Sequence, residues 1–173
     1  MSLETTAIQD KLVETFGESV FHFNQEKDVF SFEVAADKIT AIVLFLKNDP
    51  TLRFNFLTDL CGVHYPDNEV ERQFTVVYHM HNLYENKRIK IKAFINGETP
   101  EIKTITTIFP GANWMERETY DFFGVNFIGH PQLKRILNMD EMISFPMRKE
   151  FPMEDGGRTD KDDRFFGRTV DNC

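Results

Sequence analysis

Residues 88–95 restrict the fold more than any other stretch of this chain. Ile89, Ile91, Ala93 and Ile95 alternate with Arg88, Lys90 and Lys92, the period-2 pattern of a strand with one covered and one wet face. Such a strand belongs to an antiparallel sheet rather than to a parallel one, whose strands are apolar throughout. Its neighbours extend the theme. Residues 54–65 and 72–83 read as strands, with Pro66-Asp67-Asn68 and Glu85-Asn86-Lys87 as turns. Upstream, residues 20–23 and 29–34 are short, β-branched and aromatic around a polar turn at 24–28, and predict a hairpin.

Two helices flank that hairpin. Over 6–16, Ile8, Leu12 and Phe16 recur at helical spacing, Thr6-x-x-Gln9 offers a capping box, and Gly17 offers a stop. Over 37–47, Ile39, Ile42, Val43 and Leu46 form one stripe, opened by Asp37 and closed by Asn48-Asp49-Pro50. The order α-β-β-α-β-β-β predicts an α+β fold, with two helices packed on a largely antiparallel sheet over residues 1–99.

Near Pro100 the character changes. A Thr-rich stretch at 104–113 leads into a helix over 112–123, ended by Gly124. Trp114, Met115, Tyr120, Phe122 and Phe123 spread apolar surface around most of that helix, with Glu116, Arg117, Glu118 and Asp121 among them; such a helix is expected to be buried. From 147 to 173, 13 of 27 residues are charged, too many for a stretch that builds its own core.

Composition narrows the function. A chain of 173 residues fits one domain, and a net charge of -8 removes the positive field that draws nucleic acid. Cys61 and Cys173 stand 112 positions apart, without the close partners a zinc or iron-sulfur site needs. The N-terminus lacks a basic region followed by an apolar one, and the longest apolar run, 42–46, is too short to span a bilayer. These features predict a soluble, reduced, cytoplasmic chain.

Three constellations carry candidate chemistry. His79 and His81 share one face of a strand, as two metal ligands would, but Phe74, Val76, Tyr78 and Met80 take the core parity and no third ligand is near in sequence. The cluster Glu116-Arg117-Glu118 resembles an acid/base pair, yet Arg117 and Asp121 have the i,i+4 spacing of an intrahelical ion pair and no nucleophile accompanies them. In His130-Pro131 the proline suits the first turn of a short helix and the histidine suits a cap. No phosphate-binding glycine loop occurs, so nucleotide binding has no support.

The ordered run Ala112-Asn113-Trp114-x-Glu116-Arg117-Glu118-x-Tyr120-Asp121-x-Phe123-Gly124-Val125-x-Phe127-x-x-His130-Pro131-x-Leu133-x-Arg135-Ile136-Leu137 strongly resembles the signature of the C subunit of bacterial respiratory complex I, the 30 kDa subunit family of NADH-quinone oxidoreductase. Pro146-Met147-Arg148-Lys149-Glu150-Phe151-Pro152 resembles the second patch of that family. The chain departs from the pattern at Met142-Ile143-Ser144-Phe145, where a tryptophan-glycine-histidine stretch is common, and at His64, where aspartate is frequent.

The resemblance implies a non-catalytic subunit of the peripheral arm, on the cytoplasmic side of the bacterial inner membrane and touching the membrane only through the complex. It implies no cofactor in this chain, with FMN, iron-sulfur clusters and quinone in partner subunits. The D subunit of complex I is the main implied partner, with the B and I subunits beside it. It also implies a signature segment over 100–146 packed on the α+β domain and the partner, and a tail over 147–173 extended along the partner. Trp114, Glu116, Arg117, Glu118, Tyr120, Asp121, Gly124, His130, Pro131, Arg135, Arg148, Lys149, Phe151 and Pro152 are then structural and interface positions, the charged ones expected to pair across the interface. Related energy-converting hydrogenases share the module; a stand-alone metal or acid/base enzyme is the rival from another class. Of the 18 phenylalanines, Phe145, Phe151, Phe165 and Phe166 fall in or beside the charged stretch and are expected to anchor in a partner.

Overall fold

The computed structural model describes residues 4–27 and 29–151. The chain runs α1 (Thr5–Phe16), β1 (Val20–Glu26), β2 (Val29–Val34), α2 (Ile39–Asn48), β3 (Phe56–His64), β4 (Phe74–Asn82), β5 (Lys87–Ile95), β6 (Glu101–Lys103), α3 (Ala112–Phe123) and β7 (Asn126–Ile128). Five strands form a sheet in the order β1-β2-β5-β4-β3. The hairpin β1-β2 and the meander β3-β4-β5 are antiparallel, and β2 joins β5 in parallel. A parallel join needs a crossover; here it runs through α2, β3 and β4. The α+β class holds, with a mixed and mostly antiparallel sheet.

The alternation in β5 sets the register. Ile91 lies between Phe32 and Tyr78, and Ala93 between Val34 and Val76. All six are buried, together with Ile8 and Leu12 of α1 and the predicted α2 stripe Ile39, Ile42, Val43 and Leu46. The same core continues through Ile102, Ile105, Ile108, Phe109, Ala112, Val125 and Phe127, so the segment beyond Pro100 shares one core with the sheet, α1 and α2.

Helix starts differ from expectation. The Thr6-Gln9 capping box does not form: α1 begins at Thr5 with Glu4 as its cap and no side-chain cap bond, which places Thr6 inside the first turn. A 3₁₀ turn at Ala36–Lys38 precedes α2, so Asp37 does not cap it. The stop after α2 is stronger than its sequence suggests. Asp49 accepts from Lys11 Nζ at 2.8 Å and from the N–H groups of Thr51 and Leu52, tying α1 to this turn. Burial pushes the Asp49 carboxyl up, but these bonds outweigh it and hold it well below the usual range.

Gly124 ends α3 in the left-handed region, at φ 74°. A Cβ there would lie 2.6 Å from the Phe145 ring and 2.7 Å from the Arg148 guanidinium. Gly124→Ala is therefore expected to cost about 2 kcal/mol or more, from positive φ plus the clash. Gly111→Ala, with open space around it and φ -63°, is expected to be neutral or slightly stabilising. Thermal denaturation of the two variants checks the contrast.

Candidate functional site

α3 does not bury its apolar residues all round, as its sequence suggested. Its buried positions are Ala112, Glu116, Arg117, Thr119 and Asp121, while Trp114 stays 61% exposed. The inversion has a physical reason: segments before and after the helix supply partners for the inward Glu116, Arg117 and Asp121, so burial leaves few of their bonds unmade.

Asp121 is the centre of one network. Its carboxylate accepts from Arg135 Nη1 at 2.7 Å, from the N–H groups of Ile136, Leu137 and Asn138 at 3.1, 2.8 and 2.9 Å, and from the Asn138 amide at 3.1 Å. Burial pushes this carboxyl up, but the backbone donors and Arg135 hold it well below the usual range. Arg135 also donates to the carbonyls of Asp121, Met142 and Ser144. Its contacts to 142 and 144 are to main-chain oxygens, so the departure at 142–145 from the family pattern leaves them intact. Arg117 does not pair with Asp121. It donates instead to the carbonyls of Lys134 and Arg135, at 3.1 and 3.0 Å, beneath the Trp114 ring.

Glu116 has a different environment. It is fully buried, accepts from the Thr104 hydroxyl at 2.5 Å and the Ile105 N–H at 2.8 Å, and has no cation against it among the described residues. Burial pushes its carboxyl up to about 7. The Tyr78 hydroxyl, also buried, makes no hydrogen bond among the described residues, and burial followed by the charge of Glu116 pushes it up.

His130 lies in a turn, and no helix follows Pro131 among the described residues. The Gln132 N–H donates to its Nδ1, so Nε2 donates to the Asn113 carbonyl at 3.2 Å. Burial, with Arg117 nearby, lowers the His130 pKa. Farther along, Arg148 Nε donates to the Phe123 carbonyl at 2.8 Å, with its guanidinium over Phe74 and Phe145. The Lys149 N–H donates to His64 Nδ1 at 3.0 Å, and that ring stacks on Phe74. His64 thus ties Lys149 to the end of β3. Phe145 is half-buried and packs within this chain on Tyr120 and beside Gly124. Trp114, Glu118, Pro131, Lys149 and Phe151 remain exposed. Pro152 and the tail beyond it, with Phe165 and Phe166, lie outside the described residues.

The histidine pair faces away from the core. His79 stands 3.8 Å from Asp59, and His81 donates to the Asn86 side chain. Among the described residues no group of three or more His, Cys, Asp and Glu side chains is placed to hold a metal ion. Burial, then Asp59 and Glu118, push the Cys61 thiol up, away from the thiolate a metal or cluster ligand requires. No helix of the described residues is long and apolar enough to cross a membrane. Sequence reasoning missed Thr104, Asn138 and the parallel pair β6-β7, which places the segments before and after α3 side by side.

Residues 32–156 match the family model for the respiratory-chain NADH dehydrogenase 30 kDa subunit. The chain belongs to this family. Among 30 kDa subunit relatives, the C 2 subunit of NADH-quinone oxidoreductase from Rhizobium etli (strain CIAT 652) is 37% identical over 154 residues, covering 88% of this chain and 80% of that one. The C subunit of NADH-quinone oxidoreductase from Roseiflexus sp. (strain RS-1) is 35% identical over 168 residues, covering 96% and 95%. A chain of the membrane-bound sulfane sulfur reductase, an archaeal respiratory membrane complex, shares the fold with a TM-score of 0.71 at 25% identity, over 86% of this chain and 85% of that one. The trypsin-resistant fragment of Nqo5 gives 0.62 at 27%, over 73% and 98%.

Proposed function

We propose that this chain is a structural subunit of a complex I-type NADH-quinone oxidoreductase, supporting electron transfer from NADH to quinone without carrying a redox centre. One observation carries the reading: three charged groups of the family signature are engaged within the chain. Asp121, Arg135 and Arg117 are each satisfied within the chain, which holds residues 134–145 in place instead of presenting a reactive group. That scaffold displays Leu137, Met139 and Ile143, which are 65%, 73% and 95% exposed, close in sequence to one another. Exposed apolar residues so grouped mark a protein interface.

On this reading the D subunit of the complex covers the patch and receives the tail, the B and I subunits lie nearby, and FMN, iron-sulfur clusters and quinone belong to the partners. The chain then meets the cytoplasmic face of the inner membrane through the complex alone. Likeness to the sulfane sulfur reductase chain supports a second reading, the equivalent subunit of a related energy-converting complex. Affinity purification from gently solubilised membranes separates them: flavin- and NADH-binding chains should co-purify with this one, and a hydrogenase-like set without them selects the second reading. Met139→Asp with Ile143→Asp is expected to cut incorporation into the assembly about tenfold, because each places a charge in a desolvated interface. Native gels read this loss; circular dichroism of the purified variant should stay unchanged.

A further inference from the structure

β3 is an edge of the five-stranded sheet. In the order β1-β2-β5-β4-β3 it pairs with β4 alone among the described residues, and at nine residues it is long for an edge strand. α3 lies against it at Gly62, where a Cβ would stand 2.8 Å from both Thr119 and Phe123. Beside that contact a hollow of about 360 Å³ opens between strand and helix, lined by Asp59, Leu60 and Cys61 on one side and by Glu118, Phe122 and Met147 on the other. Successive residues of a strand point to opposite faces, so three in a row line one hollow along the rim of the strand. That rim carries main-chain N–H and C=O groups with no neighbouring strand to pair them.

The hollow is apolar at Leu60, Phe122 and Met147, and Met147, 53% exposed, is held there by its N–H to the Phe122 carbonyl at 3.2 Å. Two carboxylates stand with them. Glu118 is exposed and makes no ion pair or hydrogen bond among the described residues. Arg117, its neighbour in sequence, is turned instead to the carbonyls of Lys134 and Arg135. Asp59 faces the His79 ring at 3.8 Å, a partner that is cationic only when protonated. Both carboxylates reach the Cys61 thiol, whose pKa they raise after burial has done so. No lysine or arginine lines the hollow. The edge of β3 therefore offers unpaired main chain, apolar walls and negative charge in one place.

We propose that an extended, basic segment of a neighbouring subunit adds to β3 along residues 59–62, setting an apolar side chain against Phe122 and Met147 and pairing lysine or arginine side chains with Asp59 and Glu118. Charge complementarity selects the occupant: two carboxylates in a groove without a lysine or arginine favour a cationic segment and repel an acidic one. The strand edge selects its conformation, since an extended chain satisfies the unpaired main-chain groups while alternate side chains enter the hollow. The proposal rests on the assembly reading above and adds to it a contact made by main-chain bonds and ion pairs, unlike the apolar patch at 137–143.

The test uses the intact assembly. A photo-reactive phenylalanine analogue is placed at position 122 or 147 of the full chain, and adducts are identified by mass spectrometry after the complex is isolated. Adducts to one lysine- or arginine-containing stretch of another subunit are expected from both positions. Asp59→Lys with Glu118→Lys should lower retention of the chain in the complex about tenfold at low salt, with the difference narrowing as salt rises, while circular dichroism stays unchanged because both side chains are exposed. Glu14→Lys, at an exposed position of α1, should behave as the unmodified protein. Adducts to an acidic stretch, to lipid or to residues 152–173 of the same chain, no adducts while the chain migrates in the assembly, or unchanged retention of the double variant would overturn the proposal alone. A chain that never enters an assembly overturns the assembly reading and this proposal together.

Discussion

Asp121→Ala is expected to destabilise the protein by about 3 to 5 kcal/mol, because it strands a buried arginine and several donors at once. Arg135 is 9% exposed, and without the carboxylate its charge keeps only main-chain carbonyls. The N–H groups of Ile136, Leu137 and Asn138 lose their acceptor together, each an unsatisfied donor with a cost of its own. Arg135→Met should cost a similar amount, since it leaves the opposite charge unpaired. The double variant should cost clearly less than the sum, the signature of a coupled pair. Urea denaturation measures all three. The pH dependence follows from the depressed carboxyl. The folded state binds this proton less readily than the unfolded chain, so the contribution is complete above about pH 4 and is lost as pH falls toward the folded value. Asp121→Asn should remove that part of the acid sensitivity. A single-variant loss under about 1 kcal/mol would show that residues 134–145 are held by something else.

The features visible in the sequence are those that hydrophobic burial writes periodically. The alternation in 88–95 and the stripe at Ile39, Ile42, Val43 and Leu46 became β5 and α2 because each has one apolar face to cover. The polar network around α3 obeys no period. Asp121 reads locally as a partner for Arg117, four residues away, yet its donors lie 14 to 17 residues downstream, and the acceptors for Arg117 lie 17 and 18 away. The choice between them is made by chain reversal after Gly124, which no local spacing reports. Trp114 shows the same limit from the other side: apolar in the sequence, it faces out because the inward positions are taken by groups that find hydrogen bonds. The family resemblance marked these residues as important, but only the geometry divides them. Glu116, Arg117, Asp121 and Arg135 hold the chain together, and Trp114 and Glu118 face outward.

Glu116→Gln is expected to leave stability near pH 5 almost unchanged and to raise it by about 3 kcal/mol at alkaline pH. Burial lifts this carboxyl from 4.5 to about 7. The folded state therefore binds the proton more tightly than the unfolded chain, so its stabilising contribution is complete below about 4.5 and is lost as pH rises through 7. Above that, an ionised carboxylate sits beside the Tyr78 hydroxyl with only Thr104 and the Ile105 N–H to support it. In the protonated form Oε2 carries the hydrogen toward Thr104, whose own hydroxyl is 2.9 Å from Thr106, while Oε1 still accepts from Ile105. A glutamine reproduces this arrangement without titrating, since its amide donates to Thr104 and its oxygen accepts from Ile105. Denaturation midpoints of the two proteins should converge at acid pH and separate as pH rises. Parallel curves from pH 5 to pH 9 would mean that Glu116 does not hold a proton in the folded protein.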